Sequence, residues 1–229
     1  MRQILAEIDR RTEAFSRRPF FELMQGSGTL DDVRTLVPNL TFFVFAFQDL
    51  LRINERKLSD ARLRELATVH RREDAGHQLW FLADMKKLGV EQDIGWVLGP
   101  PHRAVRECSF EIVAEAVHAA DDYTRITIPL VLESTGDVFF KGIFHFCDRV
   151  GVEQSLEYFS KPHWEVEVGH EIFGPEPQAY LESLVLDPPA HARLLATVER
   201  LFVSLEGLVD HLHACIVKGR EQGARARAS

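Results

Sequence analysis

Three groups of side chains in this 229-residue chain are of a type and spacing that could do chemistry. The first is the helical stripe Leu63, Leu66, His70, Glu73, His77, Phe81 and Leu88, where three ionisable residues interrupt an otherwise apolar face. Burying an unpaired charge costs several kcal/mol, so groups on such a face are normally paired, neutral or bound to a metal. The bland alternative is a partly exposed stripe on which Glu73 and Arg72 make ordinary helix-face ion pairs. The second group is His163-Trp164-Glu165-Val166-Glu167-Val168-Gly169-His170, which puts His163, Glu167 and His170 at i, i+4 and i+7 on one helical face. Two imidazoles with a carboxylate between them suit Fe(II), Mn(II) or Zn(II); a solvent-facing polar stripe is the alternative. The third is Glu133, a carboxylate inside the apolar run Ile128 to Phe140. An ion pair from Asp137 to Lys141 on the same face would not account for it.

Those residues need helices to position them, and the sequence supplies little else. Strand-like alternation is nearly absent, and apolar residues recur at three and four. Helices are expected over 2–17, 30–37, 40–58, 60–88, 103–119, 122–149, 161–173 and 190–219. Pro19, Gly26 and Gly28 mark a turn, and Thr29 with Asp32 forms a capping-box-like start. Pro38 breaks or kinks the 30–37 helix. Gly89 stops the 60–88 helix. Pro129 should kink the long 122–149 helix, whose apolarity on nearly every face means central burial. Ser160 caps the next helix with Pro162 in its first turn, and Gly174, Pro175 and Pro177 end it. The expectation is an all-α, single-domain bundle of seven to eight helices over 1–219, with a flexible basic tail, 220–229. Glu133 thereby faces the pairs His77 with Glu73, Asp74 or His70, and His163 with Glu167 and His170, which is how bundles hold two metal ions.

Composition narrows the partners. With 45% apolar and 27% charged residues the chain is neither disordered nor fibrous, and a formal charge of −8 argues against nucleic acid or an anionic membrane surface as main partner. Three scattered cysteines, Cys108, Cys147 and Cys215, form neither a disulfide framework nor a thiolate metal site. No signal core or run of about 18 apolar residues is present, so a cytoplasmic location is expected. Of ten histidines, His77, His163 and His170 fall on core stripes, whereas His102, His191 and His213 read as loop or helix-surface residues.

The order of these motifs resembles the heme-oxygenase-like diiron oxidases and oxygenases. The likeness runs from Pro19-Phe20-Phe21 to Gly28-Thr29-Leu30, through His77-Gln78-Leu79-Trp80-Phe81 ending at Leu88-Gly89, a lone Glu133 on the central helix, and His163-x3-Glu167-x2-His170. The resemblance implies a seven-helix, heme-oxygenase-like fold in which His77, Glu133, His163, Glu167 and His170 bind Fe(II), two ions or one, without heme. It departs from the family at His70, where many members have a carboxylate that Glu73 or Asp74 could replace, and at Glu167, where Asp is usual. It further implies an O2-activating oxidase or oxygenase, a homodimer, and a small substrate such as an amino acid, a fatty acid or a similar carboxylate. Tyr123 and Arg125 are candidate substrate anchors.

Two rivals stand beside this reading. One is a metal-free enzyme or binder of the same fold, similar to thiaminase-II (TenA) or the quinone-cofactor synthase. The other is a non-enzymatic helical dimer joined through aromatic faces such as Phe42 to Phe47, which needs no ligand geometry.

Overall fold

The computed structural model describes residues 1–168 and 174–228, with side chains through 166 and from 174 to 226. It is helical, with no strand among the described residues. The chain opens with α1 (Arg2–Phe15), α2 (Pro19–Gln25), α3 (Leu30–Asn39) and α4 (Thr41–Lys57). Next come α5 (Ala61–Glu73), α6 (His77–Leu88), the single turn α7 (Ile94–Val97) and α8 (Arg103–His118). The long α9 (Asp122–Arg149) precedes α10 (Lys161–Val168), α11 (Pro175–Ser183) and α12 (Pro188–Ala228). The all-α class agrees with the sequence, but the chain divides more finely than seven or eight helices.

The differences have local causes. Pro19 does not mark a turn: it opens α2 from its first position, where a missing N–H costs nothing. Pro175 does the same for α11, in a stretch expected to be a terminator. The expected 60–88 helix is two, because Gly76 adopts φ +100, a left-handed conformation that reorients the chain before His77. The last helix continues to Ala228, past the 219 expected from the sequence, and Arg220 reaches back to Asp32, with Nη2 donating to Oδ2 at 2.8 Å. Other signals act as expected. Thr29 and Asp32 form a reciprocal capping box, Gly89 is a left-handed C-cap, and α9 spans 122–149.

The core is contiguous, and α9 runs through it with buried residues from Thr124 to Thr135 and again from Ile143 to Cys147. Around it pack α12, α10, α2 and α1, while α4 lies between α8 and α5. Pro129 sits inside α9, where it can give no N–H to the carbonyl of Arg125 four residues earlier. Buried Asn54 of α4 donates from Nδ2 to that carbonyl at 3.0 Å. The proline's freed acceptor thus becomes a fastening between α4 and α9. No single helix among the described residues is long and apolar enough to cross a membrane; α3 and α4 reach that composition only together, across a 44° bend.

Candidate metal centre

Five buried polar side chains meet where α5, α6, α9 and α10 converge. His70 lies in the last turn of α5 and Asp74 caps it, so the two face one another at i, i+4 with His70 Nε2 2.9 Å from Asp74 Oδ2. The same nitrogen is 2.5 Å from Oε1 of Glu133. Burial opposes a charge on His70, but the carboxylates of Glu133 and Asp74 outweigh it and hold the imidazole well above its usual pKa. After the turn at Gly76, His77 brings Nδ1 to 3.5 Å from Asp74 Oδ1 and to 3.1 Å from Nε2 of His163.

His163 is fixed from its other side. The carbonyl of Tyr158 can only accept, so Nδ1–H of His163 donates to it at 2.6 Å. A neutral ring protonated there keeps its Nε2 lone pair for the centre. The ring is enclosed by Phe140 and Tyr158, with centroids at 4.6 and 4.7 Å, and Trp80 stacks on His77 at 4.6 Å.

Of the expected ligands, His70, Asp74, His77, Glu133 and His163 come together. Glu73 is the last residue of α5 and is half-buried. The side chain of Glu167 and residue His170 lie outside the described residues. Arg125 is engaged elsewhere, with Nη2 donating to Ala119 O at 2.7 Å and Nη1 3.8 Å from Asp122, and neither it nor Tyr123 lines the cavity beside the centre. Asp137, which the sequence offered as a possible partner for Lys141, accepts from Trp164 Nε1 at 3.0 Å and so ties α9 to α10. His102, expected at the surface, is buried; Asn39 lies 2.9 Å from its Nδ1 and Trp96 packs on its ring.

The cavity holds about 90 Å³ and is walled by apolar residues of α4, α9 and α12, among them Phe43, Phe47, Phe139, Leu208 and Leu212. Asp74, His77 and Glu133 form its polar end, with Gln48 and Gln78 beside them, and no Lys or Arg lines it among the described residues. Sequence reading missed the two glutamines and the backbone of Tyr158, which carry no signature of their own. It also missed Asp84, whose position seven residues after His77 on a buried face was a usable signal.

The donors fit a metal ion. One ligand atom each from His70, Asp74 and Glu133 lies within 4.8 Å of the others. Atoms bound to one ion by bonds of about 2.0–2.2 Å lie at most about 4.4 Å apart, a comparable scale. A ligating histidine normally donates its second N–H to a carbonyl or carboxylate, as His163 does. Comparison with models of known protein families gives no match, and a search of curated proteins gives no similar sequence.

Proposed function

We propose that this chain is an iron-dependent, O2-activating oxidase or oxygenase of the heme-oxygenase-like fold, acting on a small organic molecule. The observation that supports it most is the meeting of three imidazoles and two carboxylates, drawn from four helices, at the polar end of an otherwise apolar cavity. His70, Asp74, His77, Glu133 and His163 would hold the iron, with Glu167 and His170 as further ligands by sequence. Bound there, Fe(II) supplies electrons for reducing O2.

The chain's own groups do the rest. Asp74 and Glu133 balance cationic charge that would otherwise be costly to bury. The Tyr158 carbonyl keeps the His163 proton on Nδ1. The aromatic and leucine walls exclude water and receive the apolar part of a substrate. Arg125 takes no part in this reading, because its guanidinium is bound at the start of α9.

The test is anaerobic Fe(II) loading with metal counting, then O2 exposure under a visible spectrophotometer. Wild type should retain one or two irons and develop a transient band, and His163→Ala and Glu133→Ala should lose both. Wild type retaining no more Fe(II) than a His70→Ala, His77→Ala protein overturns the proposal. The direct His70 to Glu133 contact would then favour the metal-free enzyme, with that pair transferring protons.

A further inference from the structure

The segment 157–159 has no regular structure, yet it supplies the carbonyl that orients His163. What holds it is Asp84 of α6, whose side chain has no solvent exposure. Its Oδ1 accepts the backbone N–H of Glu157 at 2.7 Å, and its Oδ2 accepts those of Tyr158 at 2.8 Å and Phe159 at 3.1 Å. Three successive backbone donors around one carboxylate form an anion nest built from the protein's own side chain. Lys87 adds an outer strut, with Nζ 3.9 Å from Asp84 Oδ1 and 2.7 Å from Glu157 Oε1.

The central residue of that nest is Tyr158. With its N–H fixed on Asp84, its carbonyl direction is set by the neighbouring peptide planes, and it meets Nδ1 of His163 at 2.6 Å. Asp84 and His77 lie on the same helix, two turns apart, so one rigid element carries both an expected ligand and the clamp that aims another. We infer that Asp84 is a positioning residue for the metal centre: through the 157–159 backbone it holds His163 in the Nδ1–H form, with Nε2 turned towards His77. The inference deepens the iron-dependent reading above and rests on it for the metal.

The decisive measurement needs no metal. In Fe-free protein with ¹⁵N-labelled histidine, long-range ¹H–¹⁵N spectra report which imidazole nitrogen carries the proton. Wild-type His163 should be protonated at Nδ1. Asp84→Asn, which replaces an acceptor oxygen by an NH2 facing backbone N–H groups, should shift His163 towards Nε2–H and weaken anaerobic Fe(II) binding about 10–100-fold. Glu157→Pro supplies a second perturbation at an exposed position. It deletes one of the three donors, and the preceding Leu156 is already extended at φ −99, ψ 159, as a residue before proline must be.

Glu157→Ala keeps the N–H and controls for loss of the Lys87 pair; its His163 should match wild type. If Asp84→Asn does not fold, the comparison of Glu157→Pro with Glu157→Ala decides. A wild-type His163 protonated at Nε2 overturns the inference, as do folded variants whose melting temperature falls while tautomer and Fe(II) affinity stay unchanged. A tautomer that responds as stated in a protein that binds no Fe(II) leaves the clamp standing and removes the iron reading. Fe(II) binding indifferent to both variants does the reverse.

Discussion

The fastening between Asn54 and the Arg125 carbonyl allows a stringent test of how the central helix is held. Pro129 creates the vacancy and Asn54 fills it at 3.0 Å in a buried setting, while Asn54 Oδ1 has no hydrogen-bond partner among the described residues. The amide therefore contributes through a single bond. Asn54→Ala leaves the carbonyl buried without a donor, a loss of about 1–3 kcal/mol. At the middle of that range, about 2 kcal/mol, a domain of this size should melt roughly 4–8 °C lower. Pro129→Ala restores an N–H four residues after Arg125, so in that background the carbonyl keeps an intrahelical donor when Asn54 is removed. Urea unfolding of the four proteins, monitored by circular dichroism, should show Asn54→Ala costing about 1 kcal/mol less when residue 129 is alanine. Equal costs in both backgrounds would refute the reasoning, because Asn54 would then be contributing packing alone. The consequence for the site is direct, since α9 carries Glu133 one turn beyond Pro129 and α4 carries the facing cavity wall.

Three further outcomes are expected. Gly136 lies mid-helix on the cavity wall and a Cβ there would meet nothing, so Gly136→Ala should stabilise the fold by about 0.5–1 kcal/mol in thermal or urea unfolding; a loss of stability would show the space to be filled. Burial alone would raise the pKa of Asp32, but Arg220 and the Thr29 cap outweigh it and hold the carboxyl below its usual value. Its stabilisation is thus present above the unfolded pKa of about 3.9 and lost as pH falls through the lower folded value, so the advantage of wild type over Asp32→Asn should shrink below about pH 4; a pH-independent difference in urea midpoint would contradict this. Burial pushes the Cys108 and Cys147 thiols up to about 12, so at pH 8 neither should react with a disulfide reagent until denaturant exposes them, and rapid labelling of either in native protein would count against the packing.

How much of the centre could be read in advance depended on whether a residue's partner lay on its own helix. Glu133 stood out because an ionisable group in an all-apolar run is visible without knowing what it meets. His70 and His77 stood out by helical spacing, although the spacing misstated their relation. Read as one helix, 60–88 gives Glu73 the same standing as Asp74. The turn at Gly76 changes that, because α5 stops at Glu73, Asp74 becomes its cap beside His70, and His77 starts a new helix whose Nδ1 turns towards both Asp74 and His163. A glycine two residues after a basic, acidic stretch carries no mark of whether it will adopt positive φ. The partners of Asp84 and Asn54, and the Tyr158 carbonyl itself, were hidden for a different reason. Asp84 and Asn54 act on backbone groups far along the chain, 73 to 75 residues for Asp84 and 71 for Asn54, the Tyr158 carbonyl is itself backbone, and backbone atoms are the same at every position. Side-chain chemistry therefore announces which residues gather at such a centre, while the backbone contacts that aim them become visible only once the chain has folded.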